Sequence, residues 1–222
     1  GWNNHSSWTE PDFQSMNDFG WSQTNWAGAA PGEIGGLIWR LEPQDPGFSY
    51  YADEVGILTL EDPIEFAGRV CFVDGMTDAS MFFGYFNRDE FMRPLEEDAK
   101  DEGYPRPSMI GIGLNDATAV GYYFAPMLCA ADQTVTEDNS RFTFLPDRKP
   151  CSFAFRYEPQ ANGGIGRVMY DLDGKKGTLD LTPEQRKAGA HFNRFGLATV
   201  RRGGNSVELY FDDLSYVARR DR

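Results

Sequence analysis

From Glu33 onward the chain alternates short apolar runs with turn residues, a texture that predicts strands rather than helices. The predicted strands run 34–40, 57–60, 64–73, 80–87, 108–114, 118–125, 152–157, 168–172, 177–181, 192–200 and 207–217. Asp173-Gly174 marks the clearest hairpin, because both residues tolerate the positive φ that a two-residue turn demands. Asn115-Asp116 reads as a second hairpin turn, and Gly203-Gly204-Asn205 joins the last two strands. Helix is nearly absent. Its candidates are a charged stretch at 96–100 and the start Thr182-Pro183-Glu184-Gln185, a cap residue followed by proline at the first helical position. The segment to about Pro31 carries Trp2, Trp8, Trp21 and Trp26 among Asn, Ser and Gly with no sustained period, and is expected to wrap the sandwich edge irregularly. Ten or eleven short strands at this spacing predict an all-β fold, a two-sheet antiparallel β-sandwich formed by residues 1–222 as one domain.

Composition narrows the partners. A chain of 222 residues that is 41% hydrophobic can bury one substantial core. A formal net charge of −13 repels phosphate backbones, which excludes nucleic acid as a favoured partner and leaves carboxylates for divalent cations. No run reaches the roughly 18 apolar residues of a membrane-spanning helix. The opening Gly1-Trp2-Asn3-Asn4 carries no targeting signal and reads as a mature or trimmed chain. Three cysteines are too few for a disulfide scaffold. Cys129 and Cys151 flank a polar loop that a bridge would close, with Cys71 a buried thiol; the alternative is that all three stay reduced.

Two stretches carry a resemblance. Tyr157-Glu158-Pro159-Gln160-Ala161-Asn162-Gly163-Gly164-Ile165-Gly166 leads to Asp173-Gly174, and Phe192-Asn193-Arg194-Phe195-Gly196-Leu197 precedes Val207-Glu208-Leu209-Tyr210-Phe211-Asp212-Asp213-Leu214. Together with Gly32-Glu33-Ile34-Gly35-Gly36 and Phe82-Phe83-Gly84-Tyr85-Phe86-Asn87, they resemble the concanavalin A-like lectin/glucanase (laminin-G-like) jelly-roll domains of exported bacterial proteins. They also resemble jelly-roll carbohydrate-binding modules. The resemblance implies a secreted, periplasmic or cell-surface domain, part of a larger exported protein, that binds a polysaccharide or oligosaccharide. It also implies a structural calcium. Adjacent carboxylates on a strand point to opposite faces, so one of Asp212 and Asp213 needs a cation or donors; Asp213 and Glu33 are the candidate ligands. The other reading is an aspartate that caps turn amides or pairs with Arg194 or Arg40. Asp171-x-Asp173-Gly174 opens like a calcium-binding loop but has Lys175 at the next ligand position.

Sugars present apolar C–H faces edged with hydroxyls, so aromatic platforms beside amide and charged groups are the residues to seek. Trp26 and Asn25 in the entry loops, with Arg40, Tyr85, Asn87 and Tyr123 on strands, form the expected glycan-binding set. For Phe82, Phe83, Phe86 and Phe153 core packing is the expected role.

The alternative is a polysaccharide-degrading enzyme on the same fold. A glycosidase needs two carboxylates across the scissile bond. The E-x-D-x-x-E strand of the superfamily's glucanases is missing, which leaves Glu33 and Glu208, with His191, as catalytic candidates. A lyase would use His or Tyr as base and Arg to neutralise a uronate, and His5, His191, Tyr123 and Arg40 supply those types. No nucleophile elbow, P-loop or dinucleotide fingerprint is present.

Overall fold

The computed structural model describes residues 12–14, 18–22, 36–41, 50–75, 80–91, 107–117, 121–132, 135–137, 143–144, 149–199 and 207–219. They form β1 (Asp12–Gln14), β2 (Asp18–Ser22), β3 (Gly36–Leu41), β4 (Tyr50–Thr59), β5 (Ile64–Gly75), β6 (Ser80–Phe86), the helical turn α1 (Arg88–Phe91), β7 (Met109–Ala117), β8 (Gly121–Cys129), β9 (Val135–Glu137), β10 (Thr143–Phe144), β11 (Pro150–Glu158), the turn α2 (Ala161–Gly164), β12 (Arg167–Leu172), β13 (Lys175–Asp180), α3 (Pro183–Ala188), β14 (His191–Thr199) and β15 (Val207–Tyr216). Two antiparallel sheets result. One has the order β1-β4-β14-β6-β7-β8-β10, with β9 also on β8; the other has β13-β12-β11-β5-β15-β3-β2. The predicted β-sandwich is therefore the observed fold.

Period-two alternation fills the space between the sheets. Along β11 burial alternates through Cys151, Phe153, Phe155 and Tyr157, while Ser152, Ala154 and Arg156 face solvent. Phe66 from β5 lies at the centre of an aromatic cluster with Phe83, Tyr85 and Phe195 from the facing sheet and Phe153 and Phe155 from its own. Fully burying each such ring is worth about 1.5–3 kcal/mol. The Tyr85 hydroxyl accepts from the Val217 amide at 2.8 Å and donates to the Val217 carbonyl at 2.8 Å, which ties the chain after β15 to the opposite sheet.

Several boundaries moved. Asn115 and Asp116 are not a turn: they pair with Tyr123 and Tyr122 inside the β7–β8 ladder, and the reversal lies beyond Ala117. The entry segment is not wholly irregular, since β1 pairs with β4 and β2 with β3, adding an edge strand to each sheet. Both edge strands are short and weakly patterned, which is why alternation alone missed them. Asp173-Gly174 does turn the β12–β13 hairpin, with the Gly174 amide on Asp171 Oδ1 at 2.8 Å. The helix start at Thr182 is real. Thr182 Oγ1 accepts from the Gln185 amide and Gln185 Oε1 accepts from the Thr182 amide, a capping box. The charged stretch 96–100 lies outside the described residues.

The expected Cys129–Cys151 bridge is not formed; none of the three cysteines is disulfide-bonded. Cys151 packs into the core between the sheets, whereas Cys129 sits in an apolar cluster on the opposite face of the eight-stranded sheet with Met127 and Met109. Two thiols on different faces of different layers cannot meet the short Cα–Cα span a disulfide needs. Thiol titration in denaturant should give three reactive groups per chain, and a reductant should leave the melting temperature unchanged; a titre of one would restore the bridge.

Tyr157 generates a pH prediction. Its hydroxyl donates to the Leu60 carbonyl at 2.9 Å, and burial pushes the phenol up to about 12, against the lowering effect of Arg186. An unfolded tyrosine ionises near about 10. The folded group holds its proton more tightly, so its stabilisation is complete below about pH 10 and is lost as pH rises toward 12. Urea midpoints should therefore fall between pH 9 and 11, and fall less steeply in Tyr157→Phe; equal slopes would remove Tyr157 from this account.

Candidate functional site

The face of the eight-stranded sheet that looks away from the sandwich core is apolar in its middle and polar at one end. Its middle holds Ala52, Phe82, Phe86, Met109, Met127, Cys129 and Ala198, all buried. Gly196, Gly84 and Gly111 align across three strands. A Cβ on Gly111 would lie 2.3 Å from the Phe83 carbonyl oxygen and 2.9 Å from the Phe82 ring, so the glycine lets that ring lie against the sheet.

The polar end forms where β6 stops and β14 starts. Asn87 follows β6 directly and caps α1: its Oδ1 accepts from the Asp89 amide at 3.1 Å. That contact fixes which end of the amide is oxygen. Nδ2 then has two N–H groups to give, one to Glu90 Oε1 at 3.0 Å and one to His191 Nε2 at 2.7 Å. Because Nε2 faces a donor it is an acceptor, so the neutral imidazole carries its proton on Nδ1. Glu90 is buried, and its other oxygen accepts from the Ser108 amide at 2.5 Å. The Ser108 carbonyl in turn accepts from the Asn87 amide at 2.9 Å. Ser108 Oγ is buried in this cluster and has no hydrogen-bond partner.

A β-bulge supplies the rest. The register of β14 against β4 shifts between Phe192 and Arg194, with the extra residues 55–57 on β4, and Asn193 has no partner in that ladder. Its Oδ1 accepts from the Arg88 amide at 2.9 Å and its Nδ2 donates to Asp89 at 3.3 Å, so it docks α1 onto the sheet. Arg194, only 7% exposed, donates to the Asn193 carbonyl at 2.9 Å and pairs with Glu54 at 3.8 Å. His191 and Asp89 are exposed.

The expected site residues scatter, except for two. Asn87 and His191, 104 positions apart, are in contact. Tyr85 is a correction: it is fully buried in the core cluster with its hydroxyl on the Val217 backbone, so it offers no surface to a sugar. Asn87 escapes the core because β6 ends at Phe86, between it and Tyr85. Tyr123 is half-buried on β8, in register with Asn115 and so toward the far end of the strands from Asn87. Burial and then the Glu137 charge raise its phenol above the ordinary range, which keeps it protonated. Arg40 and Glu208 face each other in register on β3 and β15 of the other sheet, apart from His191. Trp26, Asn25, Glu33 and His5 lie outside the described residues.

Asp213, the candidate calcium ligand, pairs with an arginine, and Glu33, its expected partner in the site, lies outside the described residues. Asp213 is exposed, adopts φ 52° where the β15–β5 register shifts, and its carboxylate lies 2.9 Å from Arg69 Nε. The bulge removes the premise that one of two adjacent aspartates must point inward, and an arginine supplies the donors. Calcium takes six to eight oxygens; among the described residues no group of three or more His, Cys, Asp or Glu is placed to hold a metal ion. Glu90, Asn193, Asp89 and Ser108 were missed. Asn87-x-x-Glu90 has the spacing of a cap residue with an acid at the third helical position, and that signal was legible.

No protein-family model matches this chain, and no curated protein matches it. Its fold does match solved structures. Alginate lyase A1-II', a member of polysaccharide lyase family 7, superposes with a TM-score of 0.51 at 9% identity over 84% of this chain and 81% of that one. Alginate lyase PA1167 from Pseudomonas aeruginosa gives 0.51 at 9% over 83% of each chain. The carbohydrate recognition domain of Emp47p gives 0.48 at 13% over 92% of this chain and 89% of that one. The chain thus has the concanavalin A-like jelly-roll fold that its residues resembled.

Asn87→Ala should lower stability by about 1–3 kcal/mol, because it strips a cap and leaves the buried Glu90 short of a donor. In the parent protein, nitrogen-15 correlation spectra of neutral His191 should show the proton on Nδ1, and in the variant a mixture of tautomers. A dominant Nε2–H form in the parent would break the hydrogen-bond assignment.

Proposed function

We propose that this chain binds a polysaccharide or oligosaccharide at the polar end of its eight-stranded sheet. The observation that carries the reading is the convergence of Asn87, Asp89, His191 and Asn193 where β6, α1 and the start of β14 meet, with His191 and Asp89 exposed. Amide, carboxylate and imidazole groups held by one another meet the polar requirement of a site that reads sugar hydroxyls, since pre-ordered side chains lose little entropy on binding. The fold is one on which sugar-processing proteins are built, which raises the prior and does not replace the site. A secreted, periplasmic or cell-surface location, and a place in a larger exported protein, belong to this reading. Among the described residues no helix is long and apolar enough to cross a membrane.

A second reading, polysaccharide degradation, has one specific observation behind it: His191 and Arg194 start the same strand, the residue types that a lyase uses as base and as uronate partner. Both readings meet in one experiment. A glycan array should give hits whose affinity falls at least tenfold in His191→Ala at a temperature where circular dichroism shows the variant folded. The hits should then survive incubation without new reducing ends and without the ultraviolet absorbance of an unsaturated uronate. Release of either product would move the chain to the enzyme reading, and an array blank for parent and variant would overturn both.

A further inference from the structure

We infer that the polar end of the eight-stranded sheet takes a neutral glycan, reading a pair of neighbouring hydroxyls, and discriminates against polyuronates. This rests on the proposed binding site. Its donor is set by Asn87: with Nε2 of His191 accepting from the amide, the N–H that the exposed ring offers is Nδ1. Its acceptor is Asp89, an exposed carboxylate held by Asn193 Nδ2 at 3.3 Å. One donor and one ionised acceptor match a diol, in which one hydroxyl oxygen accepts from the imidazole and the other hydroxyl donates to the carboxylate; hydrogen bonds to a charged partner are the stronger kind.

A polyuronate needs the reverse, cations with coordination to spare. The buried guanidinium here, Arg194, is already committed to the Asn193 carbonyl and to Glu54. The Glu54 side chain is 76% exposed, so the ligand-facing member of that ion pair is the acid. Glu90 adds a buried negative charge directly behind Asn87 and His191. A sugar carboxylate placed on this rim would meet the exposed carboxylates of Asp89 and Glu54 beside the half-buried Arg88, on a chain of net charge −13, and like charges brought together at an interface disfavour binding. The likeness of fold to alginate lyases therefore does not extend to the charge that binding alginate would require here.

The test measures binding by affinity electrophoresis and calorimetry on soluble neutral polysaccharides (a mixed-linkage β-glucan, a xylan and a mannan) and on alginate and polygalacturonate, at low and at physiological salt. The expected result is retention by at least one neutral polymer, with polyuronate binding at least tenfold weaker and weakest at low salt. Asp89→Asn and His191→Ala should each weaken the neutral complex tenfold or more at a temperature where circular dichroism shows the variant folded, and Asp89→Asn should narrow the gap between the two classes. Equal or tighter polyuronate binding would overturn the inference while leaving a glycan-binding site in place. Neutral binding untouched in both variants would place the site elsewhere, and no binding to either class would overturn the binding reading itself.

Discussion

Phe66 sets the distance and the registry between the two layers. It stacks on Phe155 at 4.8 Å within its own sheet and meets Phe83, Tyr85 and Phe195 across the gap with ring centres 5.4–6.0 Å from its own. Those last three come from β6 and β14, the adjacent strands whose ends build the polar cluster. The position of Asn87 against His191 therefore follows from aromatic packing several residues away. Surface ion pairs such as Arg167–Asp180 and Arg156–Glu158 are exposed, and exposed pairs contribute about 0–1 kcal/mol each. Buried rings outweigh them, so the core and not the surface charge decides where the strands lie.

That hierarchy explains what could be read from the residues alone. Alternation locates strands whose two faces see different environments, and β11 and β12 were legible for that reason. The 12-residue β5 and the β12–β13 hairpin were also found, the first by its apolar run and the second by Asp-Gly. Alternation fails where both faces are buried. Residues 81–86 of β6 are buried on both sides, so the sequence shows a continuous aromatic run without saying which rings face the core. Phe83 and Tyr85 do; Phe82 and Phe86 do not. Tyr85 was misjudged as a surface group for that reason, and the extension of β7 through Asn115 and Asp116 was hidden because turn-forming residues can also pair.

The candidate site was half legible because it is made of departures from regularity. Asn87 and His191 stood out by residue type, yet nothing local says that they touch. Their contact depends on the β6–β14 register, which the core enforces, and on a register shift between β14 and β4 that no period can signal. Asp213 shows the same effect in reverse. Reading two adjacent aspartates on a regular strand leads to a buried carboxylate and a cation. A left-handed residue in a bulge leads to an exposed carboxylate and an arginine.

Fold and ligand are therefore set by different parts of the chain. The jelly roll needs apolar residues at alternate positions and turns between them, conditions that unrelated sequences meet, as identities of 9% with alginate lyases show. In the proposed site, the choice of sugar rests on a handful of groups on α1 and at the start of β14. Their charge is the part that does not follow from the fold. Asn87 orients an imidazole donor, Asn193 holds a carboxylate acceptor, and Glu54 neutralises the nearby guanidinium. Reversing that preference would take a cation at position 89 or 54 rather than any change in the sandwich, because the core that brings β6 and β14 together is indifferent to the charge displayed at their ends.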